Sequence, residues 1–254
     1  MKTLYIDCFS GISGDMFIGC LLDAGADPSV LEEELKKLHF EDEYQLNWKK
    51  IVKNGITSTK FDVLLTRADD HGHHHGHDHH HEHDHHHRSY SDIVKMIEAS
   101  ELASEVKVTS LKIFRKIGEA EGHIHGVPLE KVHFHEVGAV DSIIDIVGAA
   151  ILLHQLDIKK IKSSAIPVGT GRIHIDHGIY PVPAPATLEI LKGVPIEQSN
   201  VKFELTTPTG AAIVAVLAEG FCTIPSMEVK SIGYGAGTKN FKDRPNVLRV
   251  IIGE

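Results

Sequence analysis

TLYIDCFSGISGDMFIGCLLDAGA, residues 3–26, decides the fold. TLYIDCF (3–9) is a short β-type run, SGISGD (10–15) is a loop of small residues, and MFIGCLLDAGA (16–26) reads as a helix. A strand that passes through such a loop into a helix opens an α/β arrangement. Working outward, SVLEEELKKL (29–38) places Val30, Leu31, Leu35 and Leu38 at helical spacing. YQLNWKKIVKNGITSTKFDVLLT (44–66) alternates on both sides of Asn54-Gly55, a hairpin signal that predicts two strands. The order β-α-α-β-β fits helices layered on a sheet.

Next comes HGHHHGHDHHHEHDHHH (71–87), which holds twelve of the twenty histidines. No apolar residue occurs between 69 and 89, so the run cannot bury a core and is expected to be disordered without metal. Its internal position and its Gly, Asp and Glu residues argue against a purification tag. Helices are predicted at YSDIVKMIEAS (90–100), SEVKVTSLKIFRKIGEAEGHIHG (104–126) and the very apolar VGAVDSIIDIVGAAILLHQL (137–156). KIKSSAIPVGTGRI (160–173) reads as strand then turn, and PVPAPATLEILKG (181–193) as a proline-rich entry to a short helix. KFELTTPTGAAIVAVLAEG (202–220) reads as strand, turn and helix, and SMEVKSIGYGAGT (226–238) with NVLRVIIG (246–253) as a final strand pair. The expected class is α/β, or mixed α+β, with helices layered on mixed sheets. Its portions are 1–70, the histidine-rich insertion 71–88, and 89–254.

The formal charge is −9 with histidine neutral, and no basic footprint for nucleic acid is visible. The longest apolar stretch, residues 143–156, is too short to span a membrane and contains Asp145. Three cysteines without CxxC spacing, and no apolar leader, predict a cytoplasmic protein. Nothing in the composition opposes a homo-oligomer.

Several segments carry polar groups suited to chemistry. In DCFSGISGD (7–15), N–H groups of Ser10, Gly11, Ser13 and Gly14 at a helix start can hold a phosphate, with Asp7 and Asp15 holding a metal beside it. The same residues also suit a plain capping turn. In VHFHEVGAVDSIIDIVGA (132–149), His133 and His135 share a face if on a strand, and Asp141 and Asp145 share one on a helix. With Glu136 between them, these are candidate metal ligands, and His133, His135 and Glu136 are candidate catalytic groups. The alternative is a capping Asp141 and a surface His135. EGHIHG (121–126) offers His123 and His125, either as a metal pair or as a solvated helix end. GRIHIDHG (171–178) offers His174, Asp176 and His177. TTPTGAA (206–212) places Thr207, Thr209 and Gly210 at a helix start, for an anion or a cap. GYGAGTKNFKDRPN (233–246) matches no nucleotide fingerprint and reads as a loop over a ligand or a flexible hairpin, with Lys239, Lys242 and Arg244 as phosphate partners. In the run, imidazoles such as His73, His75, His79 and His81 suit Ni, Zn, Cu or Fe. Cys8 is a nucleophile candidate without positional support.

DCFSGISGDM, KVHFHEVGAVDSIIDIVGA, HGIYPVPAPAT, ELTTPTGAA and GYGAGTKNFKDRPNVLRV stand in the order and spacing of the LarC family, the nickel insertion proteins of lactate racemase maturation. The resemblance covers nearly the whole chain, and a histidine-rich insertion here is similar to the family's. It implies nickel (Ni) insertion into pyridinium-3,5-bisthiocarboxylic acid mononucleotide, giving the nickel-pincer nucleotide, with CTP hydrolysis and a divalent ion, Mn or Mg. The sequence resembles the family's N-terminal portion, so the expected partners are a C-terminal LarC domain or full-length LarC, the nucleotide substrate and the lactate racemase apoprotein. Two other functions fit the residues: a nickel storage or chaperone protein, and a metal-dependent phosphohydrolase.

Overall fold

The computed structural model describes residues 1–66, 88–134, 139–175 and 178–254. The histidine run, with its expected disorder and its ligands His73, His75, His79 and His81, lies outside the described residues, as do His135, Glu136, Asp176 and His177.

The opening unit forms as read: β1 (Thr3–Asp7) passes through the small-residue loop into α1 (Gly14–Asp23). α2 (Pro28–Lys36) starts at Asp27, whose carboxylate accepts the Ser29 N–H at 2.9 Å, with Pro28 in the first turn. β2 (Tyr44–Lys53) and β3 (Ile56–Leu65) pair as a hairpin. Asn54 and Gly55 have φ of 46° and 86°, the left-handed pair that a tight two-residue turn needs. α3 (Tyr90–Ala99) opens with a Ser89–Asp92 capping box. α4 (Ser104–His125) stops at Gly126 in the left-handed region. α5 (Val140–Gln155) is buried along most of its length.

β4 (Lys160–Ser163) and the two-residue β5 (Ile166–Pro167) follow. β6 (Arg172–Ile175) and β7 (Gly178–Pro181) pair with each other, and α6 (Pro185–Ile190) leads to β8 (Ile196–Glu197), which pairs with β5. α7 (Pro208–Leu217), β9 (Val229–Ala236) and β10 (Val247–Gly253) complete the chain. The main sheet is mixed, with six strands in the order β2-β3-β9-β10-β1-β4. β1 runs antiparallel to β10 and parallel to β4. Strands from both sides of the histidine run therefore belong to one sheet. No helix among the described residues is long and apolar enough to cross a membrane.

Two local readings change. Residues 202–206 form no strand; Thr206 makes one bridge to Ile12. Their backbone instead ties two loops, with Ile12 N–H donating to Leu205 O at 3.1 Å and Leu205 N–H to Val168 O at 3.3 Å. Gly233 and Gly235 of GYGAG lie in β9, as the strand reading had it and the loop reading did not, and they let α1 lie against the sheet. A Cβ on Gly235 would fall 1.8 Å from Met16 O, and one on Gly233 2.0 Å from Cys20 O. From the helix side, a Cβ on Gly19 would fall 2.5 Å from Thr59 O in β3.

Candidate functional site

The first turns of α1, α5 and α7 meet at a cavity of about 460 Å³. Close backbone contact brings them there. Gly11 has φ of 91°, and a Cβ on it would lie 1.9 Å from Leu205 O. A Cβ on Gly210 would lie 2.1 Å from Ile12 O. The two loops that precede α1 and α7 are thus pressed together. Gly14 meets α5 directly, since a Cβ there would fall 2.4 Å from Asp145 Oδ2.

A helix start carries N–H groups without helical partners and a partial positive charge. Three such starts on one cavity favour an anion. The side chains have the opposite bias: Asp15, Asp62, Asp141, Asp145 and Glu204 line the space together with Lys60 and His174. A ligand bearing both a phosphate and a metal ion satisfies both biases.

Lys60 Nζ lies 2.7 Å from Asp15 and 2.8 Å from Asp62, with only 9% of its side chain exposed. Burial disfavours its charge, but the two carboxylates outweigh that and raise its pKa. Ser13 Oγ donates to Asp15. Asp145 Oδ1 is shielded from solvent and has no hydrogen-bond partner. Burial, then the charges of Asp15 and Asp141, push this carboxyl well above the usual range. A folded-state pKa raised in this way means that the native protein holds a proton the unfolded chain has released. Stability is then lost as pH rises from the ordinary carboxylate range through the folded-state pKa. Asp145→Asn should therefore stabilise the metal-free protein at neutral pH, by about 1 kcal/mol as expected for relieving an unsatisfied buried group. The gap between the two melting curves should widen from pH 4 to pH 8, and parallel curves would refute the reading.

Of the expected residues, Ser13, Gly14, Asp15, Asp141, Asp145, Thr207 and Thr209 line the cavity. Thr207 also caps α7, accepting the Gly210 N–H at 3.2 Å, so the capping reading of that motif holds alongside the cavity position. Asp141 is not the helix cap; Ala139 occupies that position. Lys239 lines a smaller adjoining cavity. Others lie elsewhere. Asp7 pairs with Arg249, Ser10 Oγ donates to Pro245 O at 2.8 Å, and Arg244 pairs with Asp243 at 3.2 Å. His133 is exposed, bridges to Ser89 beside Asp92, and is not among the lining residues. His125 sits 3.2 Å from Glu121 on the last turn of α4. Cys8 is fully buried, and burial pushes its thiol up to about 12, which removes it as a nucleophile.

Lys60, Asp62, Ser142, Glu204 and Thr238 line the cavity but were not among the residues expected from sequence. Lys60 and Asp62 carried a usable signal, being two charged residues on one face of a predicted strand. Among the described residues, no three His, Cys, Asp or Glu side chains form a group able to hold a metal by themselves.

Three helix starts and a set of carboxylates thus share one cavity in a mixed α/β fold. The chain belongs to the nickel insertion protein family, whose sequence model matches residues 4–254. It is 56% identical over 254 residues to the pyridinium-3,5-bisthiocarboxylic acid mononucleotide nickel insertion protein of Geobacillus kaustophilus, covering all of this chain and 60% of that one. The proteins of the same name from Staphylococcus epidermidis and Clostridium kluyveri are each 51% identical, over 98% and 100% of this chain and 59% and 62% of theirs. The chain thus spans about 60% of the length of these relatives. No solved structure matches it.

Proposed function

We propose that this chain carries the nickel-inserting site for pyridinium-3,5-bisthiocarboxylic acid mononucleotide, and that nickel and nucleotide meet in the cavity between α1, α5 and α7. The observation that supports this most is the pairing of three helix starts with Asp15, Asp141 and Asp145 on one wall system. The helix starts suit the nucleotide's phosphate, and the carboxylates suit a divalent ion. Nickel is read as the cargo of this site rather than as a resident ion. An ion that must be handed on is best held by few protein groups, with the soft sulfurs of the substrate supplying the rest.

Bonding nickel to a ring carbon requires that carbon to lose a proton, and a base must take it. His135 and Glu136, five and four residues before the first residue of α5 in the sequence, are candidates together with the cavity carboxylates. Mn or Mg is assigned to the carboxylates as a companion ion. CTP dependence, the C-terminal portion as partner, the lactate racemase apoprotein and a cytoplasmic location complete the proposal. The test is incubation of the chain with nickel, the mononucleotide, CTP and Mn, with and without the remaining portion of a relative. Appearance of the nickel-pincer chromophore supports the proposal. Phosphate release without nickel or thiocarboxylate would favour a phosphohydrolase instead.

The histidine run is assigned to nickel delivery. Twelve imidazoles can form many partial coordination shells, and these fall away below pH ~6 as the rings protonate. Deletion of residues 71–87 should raise the nickel concentration for half-maximal product several-fold and leave the plateau equal. A plateau near zero in a well-folded deletion would place the run in the reaction centre.

A further inference from the structure

Beside the main cavity lies a second lobe of about 210 Å³, and the two share Ser13, Asp15, Glu204, Thr207 and Thr238. We infer that this lobe seats the cationic ring of the substrate on the face of Phe203, in exchange for the Lys239 ammonium that now occupies that face. The inference rests on the nickel-insertion reading above.

An aromatic face is negative and attracts a cation, the more so when water is excluded. Lys239 Nζ already stands 5.4 Å from the Phe203 centroid, and both residues line the lobe. Asp15 and Glu204 on the shared border add negative potential for a ring with a quaternised nitrogen. The lobe has room for about seven waters, enough for one six-membered ring with small substituents.

The Phe203 backbone is held before any ligand arrives. Its carbonyl lies where a Cβ on Gly169 would fall 1.9 Å away, and Gly169 has φ of 82°. The Phe241 ring stands 6.1 Å from the Phe203 ring, tilted by 59°. The Lys239 backbone is also held. Its carbonyl accepts from Lys53 Nζ at 3.1 Å and from Asn246 Nδ2 at 3.0 Å. Only the exposed Lys239 side chain has to move, and once off the ring it can meet the phosphate of the same nucleotide.

The probes are nicotinic acid mononucleotide, which has the cationic ring and phosphate without sulfur, nicotinamide riboside, which keeps the ring without phosphate, and uridine monophosphate, which has phosphate without a cationic ring. Each is titrated calorimetrically into the full chain, with nickel insertion assayed in parallel. Phe203→Leu should weaken nicotinic acid mononucleotide about 10-fold and leave uridine monophosphate unchanged. Lys239→Met should tighten nicotinamide riboside and weaken both phosphates, and it decides the matter should Phe203→Leu not fold. Equal affinity for nicotinic acid mononucleotide in the intact and Phe203→Leu proteins, with nickel insertion intact, overturns the ring seat alone. An equal loss for uridine monophosphate does the same. An intact chain that binds no pyridinium nucleotide and inserts no nickel overturns the ring seat and the functional reading together.

Discussion

Asp141→Asn is expected to lower nickel insertion about 100-fold while the protein folds normally. Asp141 is exposed at the start of α5, and the hydrogen bond it makes is to the neighbouring Ser142 N–H at 2.8 Å. An asparagine keeps that acceptor, so folding loses little. What disappears is a negative charge on the cavity wall, beside Asp145 and facing the site proposed for nickel. Losing a carboxylate–metal interaction of about 3 kcal/mol gives roughly a 100-fold slower reaction. Asp7→Asn is the control. Asp7 is engaged with Arg249 and does not line the cavity, so its loss should lower the melting temperature and leave turnover per folded molecule unchanged. Equal turnover in Asp141→Asn and the intact chain would remove the carboxylate from the reaction.

Gly235→Ala should cost about 3 kcal/mol or more, a drop in melting temperature of roughly 6–12 °C, or prevent accumulation of folded protein. The added Cβ would lie 1.8 Å from Met16 O and 2.7 Å from Cys20 N, both backbone atoms of α1 that cannot swing aside. Gly220→Ala is the comparison, since nothing lies within 4 Å of a Cβ there, and it should be close to neutral. Because α1 also supplies Ser13, Gly14 and Asp15 to the cavity, a Gly235→Ala protein rescued at low temperature should bind nickel nucleotide poorly. A melting temperature unchanged by Gly235→Ala would mean that α1 is not pressed on β9 as described.

The local elements were largely legible because their signals are local. Asn54-Gly55 has one favoured geometry, Gly126 ends a helix as a glycine in the left-handed region does, and the alternation of residues 44–65 fits a half-buried strand. The strand expected at 202–206 failed because short alternation does not say whether a partner strand is present. GYGAG was read both as the end of a strand and as the start of a loop, and the strand reading held; a glycine that makes a loop and one that admits a helix backbone look the same in sequence.

By itself the sequence determined the family and the α/β class, and it put forward Ser13 to Asp15 and Asp141 with Asp145 as candidates, since residue type and spacing are written in the chain. Only the tertiary structure decided which of them meet. It set Asp145 against the start of α1, added Lys60 and Asp62 from β3, and left Asp7 with Arg249 and His133 with Ser89. The physical reason is that convergence depends on contacts between residues far apart in the chain, Gly11 on Leu205 and Gly210 on Ile12, where missing side chains let backbones touch. No local pattern specifies the partner of such a contact.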